Sequence, residues 1–388
     1  MLIITETKAL ETYCKTLKKS SFITIDTEFL RERVYYPKLC LIQVAGPGDI
    51  VPAIIDPLAD GIELKSLFKI LSNKKILKIM HSGKQDMEIF HMLMDGKLPK
   101  PIFDTQIAGA ILGYGDQMGY QHLVKKICDV DVDKSNQFTD WSHRPLSQSQ
   151  LDYAIGDVTH LIHVYEHLKK ELSDQGRIKW AEEESQFLSD PKNYDTDPMK
   201  AWTRVKMKTK NEIDYAVLQE LAAWREKRAQ YKNLPRPFVM KDEVLAQLAM
   251  TRPKDEKSLK RIRGLHKAYQ KDRHASDLLG IIADTVKRFE KKKIKIDIPV
   301  RHKKMLKDKA PIADMLKLLL KIKSHEGNIA GKMIASTHEL EDYAGKRMNK
   351  IRFLKGWRYD LFGKDAKALI DGELSIRLKG KKILLERD

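Results

Sequence analysis

Residues 23–29, with the sequence ITIDTEF, combine the pattern of a buried strand with a costly pair of charges. Ile23 and Ile25 alternate with a polar residue, which is the two-residue period of a β-strand. Alternate residues of a strand share a face, so Asp26 and Glu28 lie side by side. Two ionised carboxylates at that distance repel each other, and this raises the pKa of one or recruits a cation.

Two arrangements would relieve this repulsion. In the first, a hard divalent cation with oxygen ligands binds both carboxylates. In the second, one of the acids turns away or pairs with Arg31 or Arg33, which follow closely in the sequence. The stretch alone does not choose between them.

The composition is that of a globular protein with more than one domain. The chain has 388 residues, which is too many for one hydrophobic core. Of these residues, 42% are hydrophobic and 32% are charged. We find no apolar run of membrane-spanning length and no signal peptide at the N-terminus. Three distant cysteines give neither a zinc motif nor a disulfide framework, which favours a reducing cytoplasm.

The positive charge is concentrated in the second half of the chain. Residues 1–200 contain 25 basic and 29 acidic residues, a net charge of −4. Residues 201–388 contain 47 and 25, a net charge of +22. A basic half of this kind predicts a polyanionic partner, of which nucleic acid is the commonest, although a solvated lysine-rich surface is the alternative.

The order of strand and helix patterns predicts a mixed α/β domain over residues 1–190, followed by helical domains. Four strand patterns alternate with helical patterns before residue 130, and a long amphipathic helix begins at a capping box of Ser147 and Gln150. A segment rich in proline and aspartate follows at residues 188–200. Beyond it we predict two small all-α domains, over residues 205–290 and 300–388, with a helical C-terminal end.

Two further acidic features lie on predicted helices. Tyr153 and Asp157 are four residues apart on the long helix and therefore share a face. Asp86 lies in the first turn of a helix that follows a strand, where an acid also complements the helix dipole. Each feature taken alone is common in proteins with no catalytic function.

In their order and contexts, these residues resemble the motifs of the DEDD exonuclease superfamily, in its tyrosine subclass. The runs RERVYYPKLCLIQVA, FDTQIA and DKSNQFTDWSHRPLSQSQLDYA are similar to the bacterial ribonuclease D family, and the helical half resembles its HRDC domains. The resemblance implies a ribonuclease H-like fold and a 3′-to-5′ exonuclease. It also implies that Asp26, Glu28, Asp86 and Asp157 hold two Mg²⁺ or Mn²⁺ ions.

The resemblance gives Tyr153 a place beside the attacking water. A tyrosine pKa near 10 makes the phenol a poor base at neutral pH, so we expect it to orient the water. Phe29 and His81 are weaker candidates for contacts with nucleic acid. On strand alternation Phe29 faces away from the two acids, and a position in the core is the better interpretation. For His81, a structural hydrogen bond is an equal alternative to contact with substrate.

The family implies that the chain is a cytoplasmic exoribonuclease that releases nucleoside 5′-monophosphates and trims structured RNA such as tRNA precursors. We expect a monomer. A 3′-to-5′ DNA exonuclease would use the same metal site, so it remains an alternative. A non-catalytic binding module would have lost at least one of the five acidic and tyrosine positions, and none is lost.

Overall fold

A computed structural model describes residues 1–292, 296, 309–348 and 351–387 of the chain. These residues form two compact units. The first unit consists of Met1–Glu28, Leu39–Asn193 and the described residues between 302 and 388. The second consists of Phe29–Lys38 and the described residues between 194 and 301.

The β-structure comprises one large mixed sheet and one hairpin. Within the described residues the strands are β1 (Leu2–Ile4), β2 (Phe22–Leu30), β3 (Lys38–Ala45), β4 (Ala53–Ile55), β5 (Leu77–Met80), β6 (Ile102–Asp104), β7 (Leu374–Lys379) and β8 (Lys382–Arg387).

The sheet places the ends of two neighbouring strands at one edge. Its strand order is β1-β4-β3-β2-β5-β6, with β3 and β4 antiparallel and β2, β5 and β6 parallel. Thr24 of β2 lies opposite Ile79 of β5. Because the two strands are parallel, Asp26 and the turn that follows β5 lie at the same end of the sheet.

In the sequence, the helices of the second unit lie between two groups of helices that belong to the first unit. Helices α1–α7 are Thr7–Leu17, Lys65–Leu71, Lys84–Leu93, Thr105–Ile111, Tyr120–Cys128, Gln148–Asp174 and Ile178–Gln186. In the second unit, α8–α12 are Glu212–Lys232, Arg236–Val239, Asp242–Thr251, Glu256–Leu259 and Asp272–Glu290. In the C-terminal region, α13–α17 are Ala310–Glu326, Gly331–Ile334, Thr337–Ala344, Gly356–Arg358 and Lys364–Asp371. None of these described helices combines the length and hydropathy that a membrane span requires.

The long helix α6 begins as the sequence predicts and is fixed to the central strand. The Ser147 hydroxyl accepts a hydrogen bond from the Gln150 N–H, and the Gln150 side chain accepts one from the Ser147 N–H. In the middle of the helix, the buried Thr24 hydroxyl of β2 donates to the carbonyl of Val158 over 2.8 Å. This bond holds the face of α6 that carries Tyr153 and Asp157 across β2.

The C-terminal region packs into the core of the exonuclease-like domain. Buried Leu161 and Leu168 of α6 belong to the same hydrophobic cluster as Leu316 and Phe353. The backbone joins the two parts as well, because the Ala330 N–H donates to the carbonyl of Ala110 over 2.8 Å. The described residues of 309–348 and 351–387 therefore share a continuous core with the N-terminal sheet and helices.

The C-terminal end of the chain is a β-hairpin, and the prediction of a helical end is wrong. In β7 the apolar residues Leu374, Ile376 and Leu378 alternate with polar ones, a strand period that we had not assigned, whereas β8 carries a run of three apolar residues. Gly380 adopts φ +60° in the turn between the strands, a left-handed conformation that glycine tolerates. We also did not assign the short strands β1 and β6, each of only three residues.

The predicted domain ranges 1–190, 205–290 and 300–388 stay a prediction. The boundary that we placed near residues 291–301 lies largely outside the described residues. In the second unit, a buried cluster joins Leu218 and Leu221 of α8 to Leu245 of α10 and Leu278 of α12. This packing of helices agrees with the all-α reading of that part of the sequence.

Candidate active site

Three carboxylates from two elements converge at the end of β2. Asp26 and Glu28 of β2 and Asp157 of α6 each present an oxygen atom, and the three atoms lie within 4.8 Å of one another. Asp157 is buried, while Asp26 and Glu28 are partly exposed. Strand alternation places the first two on one face, and the packing of α6 adds the third.

Burial raises the pKa values of all three acids, and repulsion between the acids adds to this effect at Asp26 and Glu28. Burial and the neighbouring acids raise the pKa of Asp26 well above its usual value. The same causes raise the pKa of Glu28 to about 9. Burial raises the pKa of Asp157 to about 7, although a hydrogen bond from Tyr153 opposes the increase. The site would therefore gain free energy from a bound cation.

Asp86 approaches the cluster from the first turn of α3. It is buried, which raises its pKa to about 6, and its carboxylate accepts a hydrogen bond from the Thr27 hydroxyl. Its charge also raises the pKa values of Asp26 and Glu28. Asp86 is not one of the acids whose oxygens lie within 4.8 Å of one another, which suits a supporting role at the edge of the site.

Asp104 determines where α3 begins. Its carboxylate accepts hydrogen bonds from the backbone N–H groups of Ser82 and Gly83 over 3.1 and 2.9 Å. It also caps α4 through the N–H of Gln106. Ser82 has φ +57°, so the chain turns sharply between β5 and α3. Asp104 thus positions Asp86 without entering the cluster.

Tyr153 lies next to the carboxylates with its hydroxyl bonded to Asp157. Burial, followed by the charges of Asp157, Glu28 and Asp26, raises the pKa of Tyr153 above its usual value. Buried Trp141 packs beside it, with ring centroids 6.0 Å apart. The phenol therefore remains protonated at neutral pH, which favours a donor over a base.

The site opens into a polar cavity of about 280 Å³. Sequence reasoning missed much of this lining, which includes Gln106, Tyr120, Gln121 and Gln137. The Tyr120 hydroxyl donates to the carbonyl of Gly156 over 2.9 Å, which fixes its ring. These residues come from loops and from α4 and α5, and no spacing in the sequence connects them with the acids.

The two weaker predictions have different outcomes in the structure. His81 lines the cavity, and its Nδ1 lies 2.9 Å from the Thr105 hydroxyl. Burial lowers the pKa of His81, so the imidazole is neutral at pH 7. Phe29 follows Glu28 on β2, belongs to the second unit and does not line this cavity. Contact of either residue with nucleic acid stays a prediction.

The donor set suits a hard divalent cation. Asp26, Glu28 and Asp157 supply only oxygen atoms, the ligands that Mg²⁺ and Mn²⁺ prefer, and no cysteine or histidine is among them. Repulsion within the cluster adds to the effect of burial on the pKa values of Asp26 and Glu28, and a cation would remove it. The residues present therefore fit a metal-dependent site.

We expect Tyr153→Phe to lower kcat by about 10- to 100-fold and to leave the shape of the pH–rate profile between pH 6 and 9 unchanged. A group that only orients water contributes less than a general base, whose loss costs up to about 10⁴-fold. Tyr120→Phe is the matched control, because that hydroxyl bonds only to the carbonyl of Gly156. A pH profile that loses its rising limb in Tyr153→Phe would identify the phenol as the base.

Comparison with known families separates the chain into the same two types of domain. Residues 1–173 match the family model of a 3′–5′ exonuclease. Residues 214–282 match the HRDC domain and lie within the predicted range 205–290. All the acids of the site and Tyr153 lie in the first match.

Curated relatives and a solved structure match nearly the full chain. Ribonuclease D of Bartonella henselae is 42% identical over 390 residues, which cover 99% of this chain and 93% of that protein. Ribonuclease D of Zymomonas mobilis is 43% identical over 388 residues, with 99% and 97% coverage. The crystal structure of Escherichia coli RNase D, described as an exoribonuclease involved in structured RNA processing, aligns with a TM-score of 0.81 and 28% identity, over 95% of this chain and 98% of that chain. This chain is a member of the ribonuclease D family and a 3′–5′ exoribonuclease.

Proposed function

We propose that the site hydrolyses the 3′-terminal phosphodiester bond of RNA with two divalent cations, Mg²⁺ or Mn²⁺, and releases nucleoside 5′-monophosphates. The observation that carries the proposal is the set of carboxylate oxygens of Asp26, Glu28 and Asp157 within 4.8 Å of one another. These three residues would hold the cations, with Asp86 in support. When bound, such cations activate water and neutralise the charge on the scissile phosphate.

The protein's own groups orient the reactants. Tyr153 bonds to Asp157 and keeps its proton, so its hydroxyl is available to align the water beside the metal ligands. His81 is neutral and lies in the cavity wall, where it can accept or donate a hydrogen bond without repelling a metal ion. Correct alignment of the attacking group is worth several kcal/mol of the barrier.

The cavity offers groups that can distinguish a ribonucleotide. The amides of Gln106, Gln121 and Gln137 line it and can both donate and accept hydrogen bonds. A ribose 2′-hydroxyl is likewise a donor and an acceptor, and it is the group by which proteins tell RNA from DNA. We assign RNA selectivity to these contacts.

We further propose that the substrates are structured RNAs with 3′ extensions, such as tRNA precursors. Support comes from the charge of +22 over residues 201–388, which suits a large folded polyanion better than a short oligonucleotide. The Escherichia coli relative is described as acting in structured RNA processing.

The proposal is tested with matched 5′-labelled RNA and DNA single strands and a tRNA with a short 3′ extension, each with Mg²⁺, Mn²⁺ or EDTA. We expect RNA to shorten one nucleotide at a time from its 3′ end, only with metal, and to yield 5′-monophosphates. The extended tRNA should be trimmed to its mature end.

Three outcomes would contradict parts of the proposal. Equal or faster loss of DNA would keep the metal site and remove the assigned RNA selectivity. A 3′-phosphate on the shortened RNA would show that the other phosphorus–oxygen bond is broken, and this would exclude release of 5′-monophosphates. A tRNA that is left intact while single-stranded RNA is degraded would remove the assignment to tRNA maturation.

A further inference from the structure

The second unit carries exposed aromatic side chains among basic residues at the end of α8. Tyr231 is 91% exposed, Phe238 is 65% exposed and Tyr36 is 39% exposed. Residues 227–241 contain five lysines and arginines and no acidic residue. Single exposed apolar residues are common, but open aromatic rings within a basic segment are the combination that single-stranded nucleic acids use for stacking.

The end of α8 brings these rings together. Asn233 terminates the helix in the left-handed conformation, with φ +49°. Its side-chain oxygen accepts hydrogen bonds from the backbone N–H groups of Tyr35 and Tyr36, over 3.1 and 2.9 Å. Tyr231 lies two residues before Asn233, so Tyr36 and Tyr231 flank the same helix end.

A buried ion pair fixes the position of Phe238. Glu226 is fully buried and accepts two hydrogen bonds of 2.6 Å from the guanidinium of Arg236 and one from the Tyr35 hydroxyl. The same guanidinium lies over the Tyr35 ring, 4.9 Å from its centroid. Arg236 is the first residue of the short helix α9, which also contains Phe238. The ion pair of Arg236 with Glu226 therefore ties this short helix to α8. The backbone that carries Phe238 is therefore ordered before RNA binds, which lowers the entropy cost of binding.

A cavity of about 650 Å³ is lined by Tyr35 and Pro237, the sequence neighbours of Tyr36 and Phe238. Its charged lining consists of five cations, among them Arg204 and Lys241, and three acids, Glu32, Asp242 and Glu243. Two of the cations are already paired, Arg225 with Asp242 over 2.6 Å and Arg236 with Glu226, which sets the other three cations against two acids. The cavity thus keeps a positive balance and can accept a phosphate of a strand whose bases lie on the rings.

We infer that this surface, formed by Tyr36, Tyr231 and Phe238 with Lys232 and Lys241, binds an unpaired segment of RNA. Its rings stack on bases, and its cations hold phosphates. The bases of paired RNA are stacked on one another and cannot stack on the rings. Paired RNA would therefore bind this surface only through the cations. The inference rests on the proposed function for the choice of RNA, and it adds a second contact with substrate besides the active site.

The test measures the binding of a labelled, unstructured 15-nucleotide RNA to the full chain by fluorescence anisotropy in EDTA, which prevents hydrolysis. The double variant Tyr231→Ala/Phe238→Ala is expected to bind about 10- to 100-fold more weakly, with the same dependence of affinity on salt. Tyr231→Phe/Phe238→Tyr keeps both rings and should bind like wild type. Phe187→Ala, at a 58% exposed ring in the first unit, is the matched control and should have no effect.

The charges are tested separately. Lys232→Ala/Lys241→Ala removes two exposed cations and should reduce the slope of log K against log salt by about 1.4, since each phosphate contact with a single strand contributes about 0.7. A blunt RNA duplex of two annealed strands should bind the aromatic double variant as well as it binds wild type, because it offers no unpaired bases.

Two results would overturn the inference. One is unchanged affinity of the aromatic double variant for single-stranded RNA, which would leave the surface to a protein partner. The other is an equal loss of affinity for the blunt duplex, which would indicate a general loss of RNA binding. Hydrolysis of a trinucleotide with Mg²⁺ reports on the active site alone. Binding without hydrolysis in wild type would therefore contradict the proposed function and leave the surface assignment standing.

Discussion

Asp26→Asn is expected to lower the rate of 3′-nucleotide release by at least about 10³-fold. Asp26 is one of three carboxylates whose oxygens lie within 4.8 Å of one another, and an amide is a weak ligand for a hard cation. A loss of about 4 kcal/mol of transition-state stabilisation by the metal corresponds to this factor. The measurement is the rate of shortening of a 5′-labelled RNA at saturating Mg²⁺, with Asp49→Asn, an exposed acid, as the control.

The same substitution is expected to stabilise the metal-free protein, and more so at pH 8 than at pH 5. The folded-state pKa values of Glu28 and Asp157 are raised to about 9 and about 7, and that of Asp26 is also raised. The unfolded chain has carboxyl pKa values near 4. Between these values the folded state binds more protons, so its free energy of unfolding falls as the pH rises from about 4 to about 9.

Removal of one charge relieves part of this cost. In EDTA at pH 8 we expect the Tm of Asp26→Asn to exceed that of wild type by about 3–6 °C, equivalent to roughly 1–2 kcal/mol in a domain of this size. Mg²⁺ should raise the Tm of wild type and have little effect on the variant. A lower Tm of the variant in EDTA at pH 8, or the same gain in Asp49→Asn, would show that the acids do not repel one another in the folded protein.

Trp357→Ala is expected to destabilise the first unit by about 3–5 kcal/mol, the usual cost of removing a large buried aromatic side chain. Trp357 is 6% exposed and stacks on Trp180 of α7, with ring centroids 4.5 Å apart and an angle of 11° between the rings. The neighbouring Arg358 pairs with Glu184 of the same helix over 2.6 Å. These contacts belong to the core that joins residues 309–387 to the exonuclease domain.

The consequence for activity distinguishes a docked region from an independent one. Because the core is continuous, Trp357→Ala should lower by about 6–15 °C the temperature at which the protein loses its activity on a trinucleotide. Trp224→Ala is the matched control in the second unit, where Trp224 packs against Tyr269. It should leave the thermal inactivation of trinucleotide hydrolysis unchanged. If both variants behave alike, or if Trp357→Ala loses no thermal resistance, residues 309–387 do not support the catalytic domain.

The packing also changes how the basic half of the chain can be studied. From sequence, deletion of everything after residue 205 would be expected to weaken RNA binding more than hydrolysis. In the structure such a deletion would also disturb the first unit, because it removes Trp357, Phe353 and the rest of the shared core. The division itself stays a prediction. Point substitutions on the second unit, such as those at Tyr231 and Phe238, test RNA binding without opening this core.

The parts of the site that the sequence determined are those set by local geometry. A strand places alternate residues on one face, which joins Asp26 to Glu28. A helix places residues four apart on one face, which joins Tyr153 to Asp157. The capping box at Ser147 fixed the start of that helix from two side chains. Each of these relations spans fewer than five residues, so the periodicity alone was sufficient.

Only the tertiary structure decided how these pairs meet and what surrounds them. The bond from Thr24 to Val158 joins residues 134 positions apart, and Asp104 sets the turn before Asp86 from the next strand of the sheet. The contact between Trp180 and Trp357 is of the same kind. Such contacts depend on which surfaces the whole chain buries together. No periodic pattern records that choice, because the residues involved share neither a helix nor a strand.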